Sequence, residues 1–129
     1  MAAEMDEKEL ILTKGEQPVA KISNEELDFL INREFPNVKD AIRAKLDKIK
    51  SDSQNGKNRI SASILKLANK EFKEIDVLVK RANEDFRDIV SEAEYPRASS
   101  YGFGERNDEE NQNDYLKDWE EYSTWKEKK

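Results

Sequence analysis

From Arg59 to Tyr95 the chain carries neither glycine nor proline, and this stretch constrains the fold more than any other feature. Within it, apolar or small residues fall at Leu65, Ala68, Phe72, Ile75, Val79, Ala82, Phe86, Ile89 and Ala93, in steps that alternate between three and four. Side chains three and four positions apart lie over one another on a helix surface, so this spacing keeps one stripe turned toward one neighbour. Two readings stay open. One is a single long helix. The other is two or three helices, with Asn69–Lys70 closing one and Asn83 capping the next ahead of Glu84, Asp85 and Phe86. Pro96 ends the region in either case. The stripe serves either as the central buried seam of one chain or as a coiled-coil dimer seam. Ala68, Ala82 and Ala93 favour the first, because small seam residues bury little area and suit close helix approach.

The segments before the seam also read as helical. Ser23 and Glu26 have the spacing of a capping box, and Ile22 and Leu27 that of a hydrophobic staple. Leu27, Leu30 and Ile31 then share one face, and Pro36 ends this helix near Glu34. Asn37 is the expected N-cap of a second helix, with Asp40 in its first turn and Val38, Ala41, Ile42, Leu46 and Ile49 as its apolar stripe. Ser51–Asn58 reads as a polar loop with Asn55–Gly56 as its turn. Residues 97–111 read as a second loop, interrupted by Tyr101 and Phe103. The last helix is expected over Asp114–Lys128, with Tyr115, Trp119 and Tyr122 on one face and Leu116 and Trp125 beside it.

The expected architecture is all-α, an irregular bundle of four or five helices. Residues 1–22 form a flexible or arm-like N-terminal segment, and residues 23–129 a single helical domain ending in the aromatic helix. Composition fits one core and little more, since 40% of residues are charged and 36% are apolar. No run approaches the ~20 apolar residues a membrane span needs. Histidine and cysteine are both absent, which removes disulfides and the usual residues of transition-metal sites and nucleophilic catalysis.

The net charge of −6 sits in the ends. Residues 1–9 hold four acids and one base, and residues 105–129 nine acids and five bases, which leaves the body near neutral. Binding to a phosphate backbone needs a surplus of Lys and Arg, so nucleic acid is not an expected partner. The acidic N-terminus lacks the features of a secretory signal or transit peptide, and the expected compartment is the cytoplasm.

The runs Arg59-Ile-Ser-Ala, Leu65-Lys-Leu-Ala, Asp85-Phe-Arg-Asp and Ala93-Glu-Tyr-Pro-Arg97 resemble a pattern of small uncharacterised bacterial all-α proteins. The resemblance covers about the middle third of the chain. It implies a bacterial, all-α protein with breaks near Asn69 and Asn83, and it implies no activity, cofactor or site residue.

Three features are candidates for chemistry. Glu71 with Glu74, and Asp85 with Asp88, are paired carboxylates of the kind that all-α nucleotide pyrophosphatases use to hold Mg²⁺. They converge on one ion only if the chain folds back near Asn83, and carboxylates beside an apolar seam are ordinarily its solvated edge. Arg87 belongs either to a structural ion pair, with Asp88 or another helix, or to a partner-facing surface, where arginine is a favoured residue. Tyr115, Trp119, Tyr122 and Trp125 either dock the last helix on the body or bind another protein. The acidic run Asp108–Asp114 would then steer a basic partner. A membrane-surface helix is disfavoured by Asp118, Glu120 and Glu121.

The leading expectation is a non-enzymatic protein-interaction module of a bacterial cytoplasm, without a cofactor, that neutralises a basic partner as immunity proteins and antitoxins do. Its partner-binding residues would be Arg87, Tyr115, Trp119, Tyr122 and Trp125. One alternative is a divalent-metal-dependent all-α nucleotide hydrolase built on Glu71, Glu74, Asp85 and Asp88. Another is a structural subunit of a homo-oligomer. The sequence does not specify the oligomeric state.

Overall fold

The apolar seam breaks twice, and the two breaks set the architecture. At the first, Asn69 and Lys70 both take left-handed backbone conformations, with φ of 50° and 67°. At the second, Asp85 is extended and ends one helix while starting the next. The computed structural model describes residues 20–100 and 108–129, and the expected behaviour of residues 1–19, Tyr101 and Phe103 lies outside these. The described residues form seven helices and no strand: α1 Asn24–Glu34, α2 Lys39–Leu46, α3 Gln54–Ala68, α4 Glu74–Glu84, α5 Phe86–Glu94, α6 Pro96–Ser100 and α7 Asp108–Glu127. The fold is an all-α irregular bundle. It has more helices than expected because the seam divides into parts of three helices and the segment after Pro96 begins with a short helix.

α3 is the centre of the bundle and packs against α1, α4 and α5. Its run from Ile60 to Leu65 is buried without interruption. A helix apolar or small on all sides belongs inside. Ser61, Ala62 and Ser63 let neighbouring helices come close, and Ser63 donates its hydroxyl to the Arg59 carbonyl at 3.0 Å, so its polarity is absorbed locally. Ile42 and Leu46 of α2, Ile75 and Val79 of α4 and Ile89 and Val90 of α5 complete one cluster with Leu27, Leu30 and Ile31 of α1.

The start of α1 follows the sequence, since the Ser23 hydroxyl accepts the Glu26 N–H at 3.0 Å and Glu26 reaches back to the Ser23 N–H. Three other boundaries depart from expectation. Val38, not Asn37, precedes α2, and it supplies no side-chain cap. Asn37 lies instead within the turn that the Val38 N–H closes on the Phe35 carbonyl at 3.3 Å. Asn55 and Gly56 form no loop turn but lie in the first turn of α3, where the Ser53 hydroxyl accepts the Gly56 N–H at 2.9 Å. A Cβ on Gly56 would come within 2.6 Å of the Ser51 hydroxyl and 2.9 Å of the capping Ser53 hydroxyl, so a side chain there would displace both.

Asn83 caps no helix. Its side chain accepts the Lys50 N–H at 2.9 Å and donates to the Lys48 carbonyl at 3.0 Å, tying the end of α4 to the link between α2 and α3. Asp85 caps α5 by accepting the Arg87 N–H at 3.1 Å. Seam residues Phe72 and Phe86 lie at the breaks themselves, Phe72 in the turn before α4 and Phe86 as the first residue of α5, and both are exposed, while the stripe resumes buried at Ile75, Val79, Ala82, Ile89 and Ala93.

Candidate functional site

The aromatic helix α7 is fastened to the body at three levels. At its C-terminal end, Arg33 of α1 donates to the carbonyls of Trp125 and Lys128 at 2.8 and 2.6 Å, an arrangement that meets the orphan carbonyls and negative end of a helix with a cation. The same guanidinium lies 4.9 Å from the centre of the Trp125 ring and 5.8 Å from that of Phe29, and its Nε contacts Glu34 at 3.1 Å. Midway along, Tyr122 is 1% exposed. Its ring lies between those of Trp119 and Trp125, at centroid distances of 6.3 and 5.9 Å. Burial pushes the Tyr122 hydroxyl well above the usual tyrosine range, and the nearby Glu94 carboxylate adds to the shift.

Toward its N-terminal end, α7 is joined to α5 and α6. Tyr115 meets Tyr95 at 6.0 Å, and burial also raises the Tyr115 hydroxyl. The Asp118 carboxylate is fully buried and accepts the backbone N–H groups of Arg97 and Ala98, each at 3.1 Å, and the Arg97 guanidinium at 3.0 Å. It therefore caps α6 from another helix. Pro96 opens α6 without needing an acceptor, because proline has no N–H. Arg97 also binds Glu121, and both contacts raise the arginine above its ordinary value while holding the Glu121 carboxyl below the usual carboxylate range. Residues 97–100 thus belong to a short clasped helix rather than to the expected loop. α7 begins at Asp108, so the acidic run Asp108–Asp114 is its first two turns.

This placement sorts the expected partner-binding residues. Tyr122 belongs to the core and presents no surface, which corrects its assignment as a contact residue. Trp119, Trp125 and Tyr115 are half-buried, and Trp125 packs on the main cluster. Asp118, expected outside, is inside. Arg87 stands clear of the body with its side chain 78% exposed. Asp85 both caps α5 and accepts from the Arg87 guanidinium at 3.1 and 3.3 Å, which fixes the direction of the arginine and lowers the Asp85 carboxyl below its usual range. Neither Asp88 nor a second helix supplies the expected partner.

Beside Arg87, Phe86 is 48% exposed. It borders a cleft of about 360 Å³ between the first turn of α5 and the start of α3, with Ile60 and Val90 as apolar wall and Lys50, Asp52 and Arg59 at its polar side. Arg59 is held there by a two-point bond to the buried Glu94 carboxylate, both distances 2.8 Å, and this contact raises the arginine further. Sequence reasoning singled out Arg87 and missed Phe86, because the unbroken seam pattern placed Phe86 inside. The Asp85–Phe86–Arg87 order, an N-cap residue followed by a bulky first-turn residue, was the available signal.

The four acidic residues of the metal alternative do not gather. Glu71 and Glu74 lie at the start of α4, whereas Asp85 and Asp88 lie beyond its other end, with Asp85 engaged by Arg87. Among the described residues no group of three or more acidic side chains is placed to hold a metal ion. Among them, too, no helix is long and apolar enough to cross a membrane. No family model, curated protein or solved structure matches the chain.

Proposed function

We propose that this chain is a non-enzymatic protein-interaction module that binds a basic partner in a bacterial cytoplasm, in the manner of an immunity protein or antitoxin. The observation that carries the reading is that Phe86, exposed at the rim of an apolar-walled cleft, is followed in the chain by Arg87, whose guanidinium stands in solvent and is held in one direction by Asp85. Aromatic and arginine side chains dominate the energy of protein interfaces when a partner covers them. Phe29, Val38, Phe72 and Val77 are exposed as well, but Phe86 is the one of these that borders this cleft. Glu84, Asp85 and Asp88 flank the pair in sequence, and the net charge of −6 adds a longer-range attraction for a cationic surface. Trp119 and Trp125 contribute at most the minor part of each side chain that the body leaves open.

Affinity capture from a native lysate, with wild-type chain and a Phe86→Ala/Arg87→Ala variant as parallel baits, tests the reading. The expected result is a basic protein held by the wild type, lost with the variant, and released as salt rises to about 0.5 M, where charge attraction is screened over a few ångströms. Capture of the same proteins by both baits, or a retained set that salt does not release, contradicts it.

A further inference from the structure

The cleft beside Phe86 also has the makings of a small-molecule site. It holds about 360 Å³, within the usual range for small-ligand sites of about 300–1,000 Å³. Ile60 and Val90 are buried and form its base. The apolar surface open to a ligand is therefore the exposed part of the Phe86 ring, with the methylene stems of Lys50 and Arg59 beside it.

Two cations on its polar side keep donors that nothing else uses. Glu94 engages Arg59 through Nε and Nη2, both at 2.8 Å, and leaves Nη1 without a hydrogen-bond partner among the described residues. The same two-point bond fixes the plane of the guanidinium. Lys50 is exposed, and its ammonium meets no acceptor among the described residues. Its main-chain N–H donates to the Asn83 side chain at 2.9 Å, so the lysine stem leaves from a pinned point. Asp52, exposed, is the one carboxylate of the lining. An anion entering here gains two donor groups and meets one like charge. A cation gains one acceptor group and meets two like charges.

We propose that this cleft binds a small aromatic carboxylate, with its ring on Phe86 and its carboxylate between Lys50 and Arg59. Paired rings gain more than their buried area when they meet offset or edge-on. Hydrogen bonds from cations to a carboxylate are roughly twice as strong as those between neutral groups. The proposal needs no partner protein and makes no use of Arg87. It shares the Phe86 ring with the protein-interaction reading, but binding of the acid and capture of a basic protein can each fail without the other.

Titration of the full chain with 3-phenylpropanoate, followed through its amide signals by nitrogen-edited NMR, tests it. Three further probes are 3-phenylpropanamide, which lacks the charge, 3-phenylpropylamine, which reverses it, and butanoate, which lacks the ring. The expected result is saturable binding of 3-phenylpropanoate with the largest shifts at Gly56 and Phe86, and binding about fivefold weaker or more for each other probe. Lys50→Gln should weaken it about two- to fivefold, and Asp52→Asn should strengthen it by a similar factor. Both side chains are exposed, so the variants keep the fold. Lys80→Gln, the same loss of charge on α4 outside the cleft lining, should leave binding unchanged. Absence of saturation below about 10 mM, equal or tighter binding of the amine, weaker binding after Asp52→Asn, or a Lys50→Gln effect no larger than that of Lys80→Gln overturns the proposal.

Discussion

Replacing Tyr122 with alanine and with phenylalanine should move stability in different ways, and the contrast tests whether α7 is part of the core. The alanine variant deletes a fully buried ring. Truncating a buried aromatic side chain costs about 3–5 kcal/mol, a large share of the ~5–15 kcal/mol that holds a domain folded. The phenylalanine variant keeps the ring and removes only a hydroxyl that is buried without a partner among the described residues. Such a hydroxyl has lost water and gained nothing, at a cost of about 1–3 kcal/mol, so Tyr122→Phe should match or exceed the wild type by up to that amount. Urea unfolding followed by circular dichroism and by tryptophan fluorescence measures both, since Trp119 and Trp125 flank the ring and report directly on α7. The reasoning also fixes an alkaline limb. A tyrosine raised in the folded state stabilises fully below its ordinary value of about 10 and loses that contribution as pH climbs through the higher folded value. Above about pH 10 the wild type should therefore lose stability that Tyr122→Phe retains. A loss of more than about 1 kcal/mol in Tyr122→Phe would refute the orphan hydroxyl, and a cost below about 1 kcal/mol in Tyr122→Ala would refute the docking of α7.

Three further outcomes follow from named contacts. Lys70 occupies a left-handed conformation without the amide that helps Asn69 tolerate one, so Lys70→Gly should raise unfolding free energy by about 1 kcal/mol in the same urea assay. Asp118→Ala strips the cap from α6 and leaves Arg97 without its buried partner, and the thermal midpoint should fall by an amount equivalent to about 3 kcal/mol. The Glu121 carboxyl is held low by Arg97, so its contribution is present above the ordinary glutamate value of about 4.3 and disappears as pH falls through the lower folded value. Between about pH 6 and 3 the wild type should lose slightly more stability than Glu121→Gln, a small effect for an exposed pair.

The legibility of this fold in its sequence depended on how local each determinant is. The Ser23–Glu26 capping box was readable because all its parts lie within four residues. The seam was readable as helix, and Asn69 as a break, because asparagine tolerates the left-handed region. Lys70 carried no such sign, and the second left-handed residue is part of what turns Phe72 to the surface. Asn55–Gly56 misled for a local reason: the same dipeptide that favours a turn also fits a helix's first turn once Ser53 caps it. The short helix after Pro96 was hidden because its cap, Asp118, comes from twenty residues further along. The aromatic face of α7 was plain, but which ring would be central was not. Tyr115, Trp119 and Tyr122 share one face by spacing, and only the placement of Tyr122 near Glu94 and Arg59 in the folded body makes it the buried one. For the candidate site, Arg87 was legible as an arginine either in an ion pair or facing a partner, while Phe86 was misplaced inward by extending the seam across a break.

The central claim is that α7 is an integral part of the bundle, so that the proposed partner binding falls to the Phe86–Arg87 face rather than to the aromatic helix. Amide hydrogen exchange on the free protein, resolved to α3, α5 and α7, tests it most directly. Protection over residues 115–125 comparable to that of α3 and α5 is the predicted result. Exchange of α7 within seconds while α3 stays protected would contradict it, and would return Trp119, Tyr122 and Trp125 to the list of surfaces free to meet a partner.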